Sequence, residues 1–368
     1  MSPGALVFRV LFLGTLGLGA CTSLVGRSFT WHETARYAAG ALAVWLVVVV
    51  IFSRLYRREG APVLGAATAV TLGRGALLSA LAGFVLLPSA GLAGALAWVP
   101  GLLYTAAALS DLLDGYLARR WGQESALGAA LDVALDALGL LVGPVVAVAL
   151  GKLPPWYLLV GATYYLFHGG LWLRGRLGLP VTLERLRPSR LTRMYAGYQM
   201  GLVATVLFPV VGPPGTWIAA TAFMAPNLTL FARDWLVTTG RLDPAHAPRY
   251  QRLVAMGGAV LRNLLPVFRL ATAGGLLALV LAGWASSWLG LAAVLLVAGV
   301  APRWVAFAAG VLLCLPSVDV LAPPVLATYL GVLLVLLAGG GRYSLWGIED
   351  KWLLRRAGEA PSVSPGEA

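Results

Sequence analysis

Runs of apolar residues long enough to approach or reach the span of a bilayer recur from residue 5 to residue 339, separated mostly by short basic turns. One crossing takes about 17–25 predominantly apolar residues. Such runs lie near 5–23, 37–53, 65–88, 91–113, 126–150, 154–173, 194–212 and 215–237, and shorter ones follow near 264–284, 286–300, 304–318 and 322–339. In lipid, backbone N–H and C=O groups must be satisfied within a helix or a closed barrel, so runs of this length read as helices. The expected fold class is an all-α polytopic membrane protein. With 59% hydrophobic and 11% charged residues, the composition excludes an ordinary soluble domain.

Charge sets the orientation. On alternate loops lie Arg54, Arg57, Arg58, Arg119, Arg120, Arg174, Arg176, Arg185, Arg187, Arg190, Arg193, Arg241, Arg249, Arg252, Arg262 and Arg303. Arg342, Lys351, Arg355 and Arg356 in the tail belong to the same side, and the opposite side has Arg27, Arg36 and Lys152. Basic residues collect on the cytoplasmic side of membrane proteins, so both termini are expected there. The formal net charge of +12 is therefore a topology signal. Nucleic acid is not an expected partner, because no basic domain with a groove-reading element is visible. Basic turns of this kind face anionic lipid headgroups, and the lipid bilayer is the expected surrounding. Residues 1–23 are expected to be an uncleaved span: Leu18-Gly19-Ala20-Cys21 faintly resembles a lipoprotein cleavage site, but Arg9 is the one basic residue before it. Cys21 and Cys314 offer no disulfide framework, and His32, His168 and His246 are scattered.

Against this background residues 111–136, DLLDGYLARRWGQESALGAALDVALD, stand apart. They hold Asp111, Asp114, Asp132 and Asp136 in a chain with 15 acidic residues. Ionisable side chains at membrane depth are costly and mark functional sites. Asp111 and Asp114 are three apart, and Asp132 and Asp136 four apart, so each pair shares one helix face. The polar turn between the two helices lets those faces converge. Four carboxylates need a counter-charge, and divalent cations with oxygen ligands supply it. Two cations about 3.5–4 Å apart suit a phosphoryl displacement. Gly115, Ala118, Gly128, Ala129 and Ala130 leave room for a ligand or for close helix packing.

The spacing Asp111-x2-Asp114-Gly115-x2-Ala118-Arg119-x8-Gly128-x3-Asp132-x3-Asp136 resembles, without gap or substitution, the signature of the CDP-alcohol phosphatidyltransferases. Weaker matches flank it. Thr71-Leu-Gly-Arg74 resembles the opening of the family's first core helix, with Thr68 where Asn is usual. Thr192-Arg193 with Gln199 resembles the entry to the fifth core helix, and Leu228-Thr229-Leu230 with Asp234-Trp235 the end of the sixth. The resemblance covers roughly 61–240 and implies a six-helix core, with two extra transmembrane helices before it and about four after. The expected division is 1–60, an N-terminal pair; 61–240, the catalytic domain; 241–349, a four-helix membrane domain; and 350–368, a cytoplasmic tail. The four-helix part faintly resembles DoxX-type domains through Pro302-Arg303 and Gly341-Arg342-Tyr343-Ser344-Leu345, and is reached through a polar connector at 238–263.

The resemblance also implies chemistry: transfer of a phosphatidyl group from CDP-diacylglycerol to a polar alcohol acceptor, with release of CMP. It implies two Mg²⁺ or Mn²⁺ ions, the first on Asp111, Asp114 and Asp132, with Asp136 joining at the second. Asp136 is the implied general base. Thr71, Arg74, Asp111, Asp114, Gly115, Ala118, Arg119 and Gly128 form the implied CDP site. Six arginines between 174 and 193 point to a phosphorylated acceptor, held by Arg190 and Arg193. Glycerol 3-phosphate is preferred. Ala137 stands where that branch often has Lys, so inositol phosphate, serine and phosphatidylglycerol stay open. A cation transporter using the acidic cluster is the alternative from another class; charges at one interface rather than the midplane favour the enzyme. A homodimer in a bacterial cytoplasmic (inner) membrane, with its site at the cytoplasmic face, completes the expectation.

Overall fold

Every expected apolar run has its helix. The computed structural model describes residues 3–59, 65–121, 125–181, 190–244, 246–341 and 343–346. Among these residues there are twelve α-helices. They are α1 (Pro3–Val25), α2 (Trp31–Arg58), α3 (Ala66–Ala82), α4 (Val99–Trp121), α5 (Ala126–Ala149), α6 (Leu158–Arg176), α7 (Arg190–Val206) and α8 (Gly215–Thr238). Then come α9 (Pro248–Leu281), α10 (Trp288–Ala298), α11 (Pro302–Leu313) and α12 (Pro323–Ala338). The protein is an all-α, multi-pass membrane protein. The expected tail at 350–368 lies outside the described residues.

One expectation needs correction. Residues 248–263, assigned to a polar connector, form the first half of α9. Pro248 sits in the first turn, where its missing N–H costs nothing, and the sequence then runs without a break into the apolar half. Leu253, Val254, Met256 and Val260 are exposed there, so continuity with the longer helix, rather than burial, sustains this half. The last helices are short, as their apolar runs are. At about 1.5 Å per residue, α10 and α11 reach only about 17–18 Å, against the roughly 30 Å of a bilayer's hydrocarbon. Among the described residues five helices are long and apolar enough to cross a membrane, namely α2, α5, α9 and those built around α3 and α4.

The chain divides into two compact units. The first comprises residues 1–165 and 199–209. Its centre is α3, against which α1, α2, α4 and α5 pack. Small residues allow the close approaches: a Cβ on Gly75 would lie 2.7 Å from Val48 Cγ1 of α2. The hydroxyl of buried Tyr37 on α2 donates to the Ala80 carbonyl of α3 at 2.8 Å. Thr30 and Glu33 close a capping box at the start of α2, which satisfies backbone donors the helix cannot. The N-terminal pair thus packs on the helix that carries Thr71 and Arg74.

The second unit comprises residues 166–198 and 210–368, and its described core is α9 against α10 and α12, with α11 beside α10 and α12. Buried Arg269 of α9 donates to the carbonyls of Gly340 and Tyr343 at 2.7 Å each and to Ser344 Oγ at 2.8 Å, fixing the segment after α12.

Candidate active site

The acidic cluster is assembled within the first unit by three helices. Ser125 caps α5: its Oγ accepts from the Gly128 N–H at 3.0 Å. A Cβ on Gly128 would sit 3.0 Å from that Oγ and 3.8 Å from Thr68 Oγ1 on α3, so glycine keeps the cap and the approach of α5 to α3. One and two turns further along α5 come Asp132 and Asp136. Asp111 and Asp114 project from α4, and Asp114 is buried.

The third helix supplies the counter-charge. Arg74 of α3, 2% exposed, hydrogen-bonds Asp111, reaches Asp136 Oδ1 from Nη1 at 2.9 Å, and reaches Asp132 Oδ1 from Nη2 at 2.6 Å. Three residues earlier on the same face, Thr71 Oγ1 donates to Asp114 Oδ2 at 2.8 Å. Thr71 and Arg74 therefore touch all four carboxylates between them. Three of the acids differ from Asp114 in exposure: the side chains of Asp111, Asp132 and Asp136 are 26%, 41% and 40% accessible, so the cluster opens on one side.

One guanidinium cannot neutralise four carboxylates, and buried charge is stable only when paired. The donor set fits hard divalent cations: ligand atoms of Asp111, Asp114 and Asp132 lie within 4.8 Å of one another, and all are carboxylate oxygens. The buried Arg74 Nε has no hydrogen-bond partner among the described residues, a polar group left for something else to satisfy.

The residues singled out in the sequence fall into two sets. Asp111, Asp114, Asp132, Asp136, Thr71 and Arg74 come together, with Gly115 and Gly128 on the adjoining backbone of α4 and α5. Ala118 and Arg119 lie on α4, and Arg190 and Arg193 on α7, with side chains outside the described residues. The multiple pairing of Arg74 is not among the sequence expectations. A signal for it exists: an arginine inside an apolar run, three residues after a threonine, requires acids from neighbouring helices.

A cluster of four aspartates on facing membrane helices, braced by one buried arginine, defines the class of site: a carboxylate cluster with a donor set that could hold a cation, in a helical membrane protein. Residues 64–226, which include the whole cluster, match the family model described as CDP-alcohol phosphatidyltransferase. Named relatives agree. A CDP-diacylglycerol–glycerol-3-phosphate 3-phosphatidyltransferase of Cereibacter sphaeroides is 34% identical over 149 residues, 40% of this chain and 64% of the relative. A chloroplastic/mitochondrial protein of the same activity name from Arabidopsis thaliana is 32% identical over 149 residues, 38% of this chain and 44% of the relative. The CMP-forming cardiolipin synthase of Homo sapiens is 32% identical over 119 residues, 28% of this chain and 40% of the relative. The chain thus spans 64% or less of the length of these three relatives. No solved structure matches the chain.

Proposed function

We propose that this protein transfers a phosphatidyl group from CDP-diacylglycerol to a polar alcohol and releases CMP. The observation that carries the reading is the convergence of Asp111, Asp114 and Asp132, with Asp136 on the same guanidinium, inside the family segment. Two divalent cations, Mg²⁺ or Mn²⁺, held by Asp111, Asp114, Asp132 and Asp136, would neutralise the diphosphate and the charge developing on CMP. Asp136 takes the proton of the acceptor hydroxyl as its oxygen attacks the phosphatidyl phosphorus and the bond to CMP breaks. This role suits its position: Oδ1 is anchored on Arg74, the side chain is partly open, and no hydrogen bond occupies Oδ2 among the described residues. In this reading Gly115, Ala118, Arg119 and Gly128 bind the CDP moiety together with Thr71, Arg74, Asp111 and Asp114. The enzyme lies in a bacterial cytoplasmic membrane as a homodimer, with the site at the cytoplasmic face. In this reading residues 1–60, 61–240 and 241–349 are its N-terminal pair, catalytic domain and DoxX-like domain.

Glycerol 3-phosphate is the proposed acceptor, supported by the name of the Cereibacter relative. Phosphatidylglycerol is the second reading, supported by the cardiolipin synthase relative. The test is CMP release by purified protein with CDP-diacylglycerol, Mg²⁺ or Mn²⁺, and glycerol 3-phosphate, phosphatidylglycerol, inositol phosphate, inositol or serine. Metal-dependent release with one acceptor is expected; silence with every acceptor, together with failure to bind CDP-diacylglycerol, removes the enzymatic reading. Arg193→Ala is expected to raise the glycerol 3-phosphate KM by about 10-fold or more, the loss of one charge-assisted contact, while leaving the CDP-diacylglycerol KM within about twofold. An unchanged acceptor KM would make Arg193 a topology residue.

A further inference from the structure

The second unit contains a link that neither the family signature nor the acidic cluster explains. Arg303, at the start of α11, has Nη1 at 3.0 and 3.1 Å from the carbonyl oxygens of Leu336 and Leu337, in the last turn of α12. The same nitrogen donates to the hydroxyl of Tyr198 on α7, and the guanidinium carbon lies 5.8 Å from the centre of the Tyr198 ring. Tyr198 in turn stands edge-on to Tyr195 and to Phe223 of α8, with ring centres 5.8 and 6.2 Å apart. A positive group over helix C-terminal carbonyls is favourable, so α12 holds Arg303 firmly while Arg303 holds Tyr198.

A second latch lies at the other end of α11. The Cys314 thiol donates to Tyr329 Oη at 2.9 Å, and that hydroxyl donates to the Gly215 carbonyl at 3.1 Å, at the first residue of α8. A Cβ on Gly215 would lie 2.7 Å from Cys314 Sγ, so glycine is needed for the approach. The C-terminal helices therefore grip α7 and α8 at two points, one at each end of α11. They are built onto the last two helices of the family core and are not merely tethered to them.

We propose that the C-terminal helices act as a brace for the N-terminal half of α7, and that Arg303, through Tyr198, is a positioning residue for acceptor binding. The inference rests on the phosphatidyltransferase reading, in which Arg190 and Arg193, on the first turn of α7, hold the acceptor phosphate. Tyr198 lies five residues beyond Arg193 on the same continuous helix. Fixing Tyr198 fixes the rotation and height of the turn that presents those arginines. A helix end free to fray would present them over many geometries, and binding would carry the cost of ordering them.

The experiment uses the full-length protein in detergent or nanodiscs, with Tyr198→Phe, Arg303→Gln and the double variant. Each single variant is expected to raise the acceptor KM roughly tenfold, with the CDP-diacylglycerol KM and kcat at saturating acceptor near wild type. The double variant is expected to be no worse than either single one, because both remove the same link. Hydrogen exchange at amides 194–198 should quicken in all three, while exchange across α3, α4 and α5 stays unchanged. Exchange does not depend on turnover, so it separates a failed brace from a failed assignment of the reaction. Unchanged exchange at 194–198 overturns the brace. Faster exchange with no change in acceptor KM overturns the positioning role, as does an equal rise in both substrates' KM.

Discussion

Asp136→Asn should lower CMP release by roughly 10³-fold or more while CDP-diacylglycerol binding stays close to wild type. The substitution is chosen to be nearly silent in structure. Arg74 Nη1 donates to Asp136 Oδ1 at 2.9 Å, and an asparagine carbonyl at that place still accepts the bond. What disappears is a carboxylate able to take a proton. The nucleotide side should be spared because the tight ligand trio is Asp111, Asp114 and Asp132, and Asp136 is not one of the three. The measurement is a pair: initial rates with saturating acceptor, and equilibrium binding of CDP-diacylglycerol in the same Mg²⁺ buffer. Turnover within tenfold of wild type would remove Asp136 as the base. Loss of lipid binding together with turnover would instead mean that its cation ligation is needed to hold the donor.

The membrane character, the helices and the four aspartates are all legible in the amino-acid sequence. Helix-length apolar runs admit one kind of backbone in lipid, and two Asp pairs at helical spacing across a short polar turn have few ways to avoid converging. The less legible features depend on which faces meet. The sequence places Arg74 in a membrane span but does not say which carboxylates it reaches, because that depends on the rotation of α3 against α4 and α5. The start of α9 is hidden because periodicity and polarity at 248–263 resemble a connector, while helix continuity past Arg262 comes from the chain on both sides. The attachment of α11 and α12 to α7 and α8 is hidden because it, too, depends on which faces meet. A glycine such as Gly215, read alone, signals only close packing; its partner Cys314 lies far along the sequence.

Arg74→Met should be the most damaging single change to the folded protein. Removing one partner from a buried ion pair costs about 3–5 kcal/mol, because the charges left behind lose their compensation. Here one guanidinium is shared by Asp111, Asp132 and Asp136, so its loss leaves four carboxylates on facing helices with no other paired cation among the described residues. A loss of that size is a large share of the roughly 5–15 kcal/mol that holds a typical protein folded. Thermal unfolding in chelator should therefore drop sharply, and Arg74→Lys should fall between, since a point charge cannot fork across three acids as a guanidinium does. Added Mg²⁺ should raise the unfolding temperature of the methionine variant more than that of the wild type, because the ion then supplies charge the side chain no longer does. If Arg74→Met unfolds with the wild type in chelator yet fails to bind CDP-diacylglycerol, the arginine is a nucleotide ligand first. Its contacts to the aspartates would then be a consequence of its position and not the reason for it.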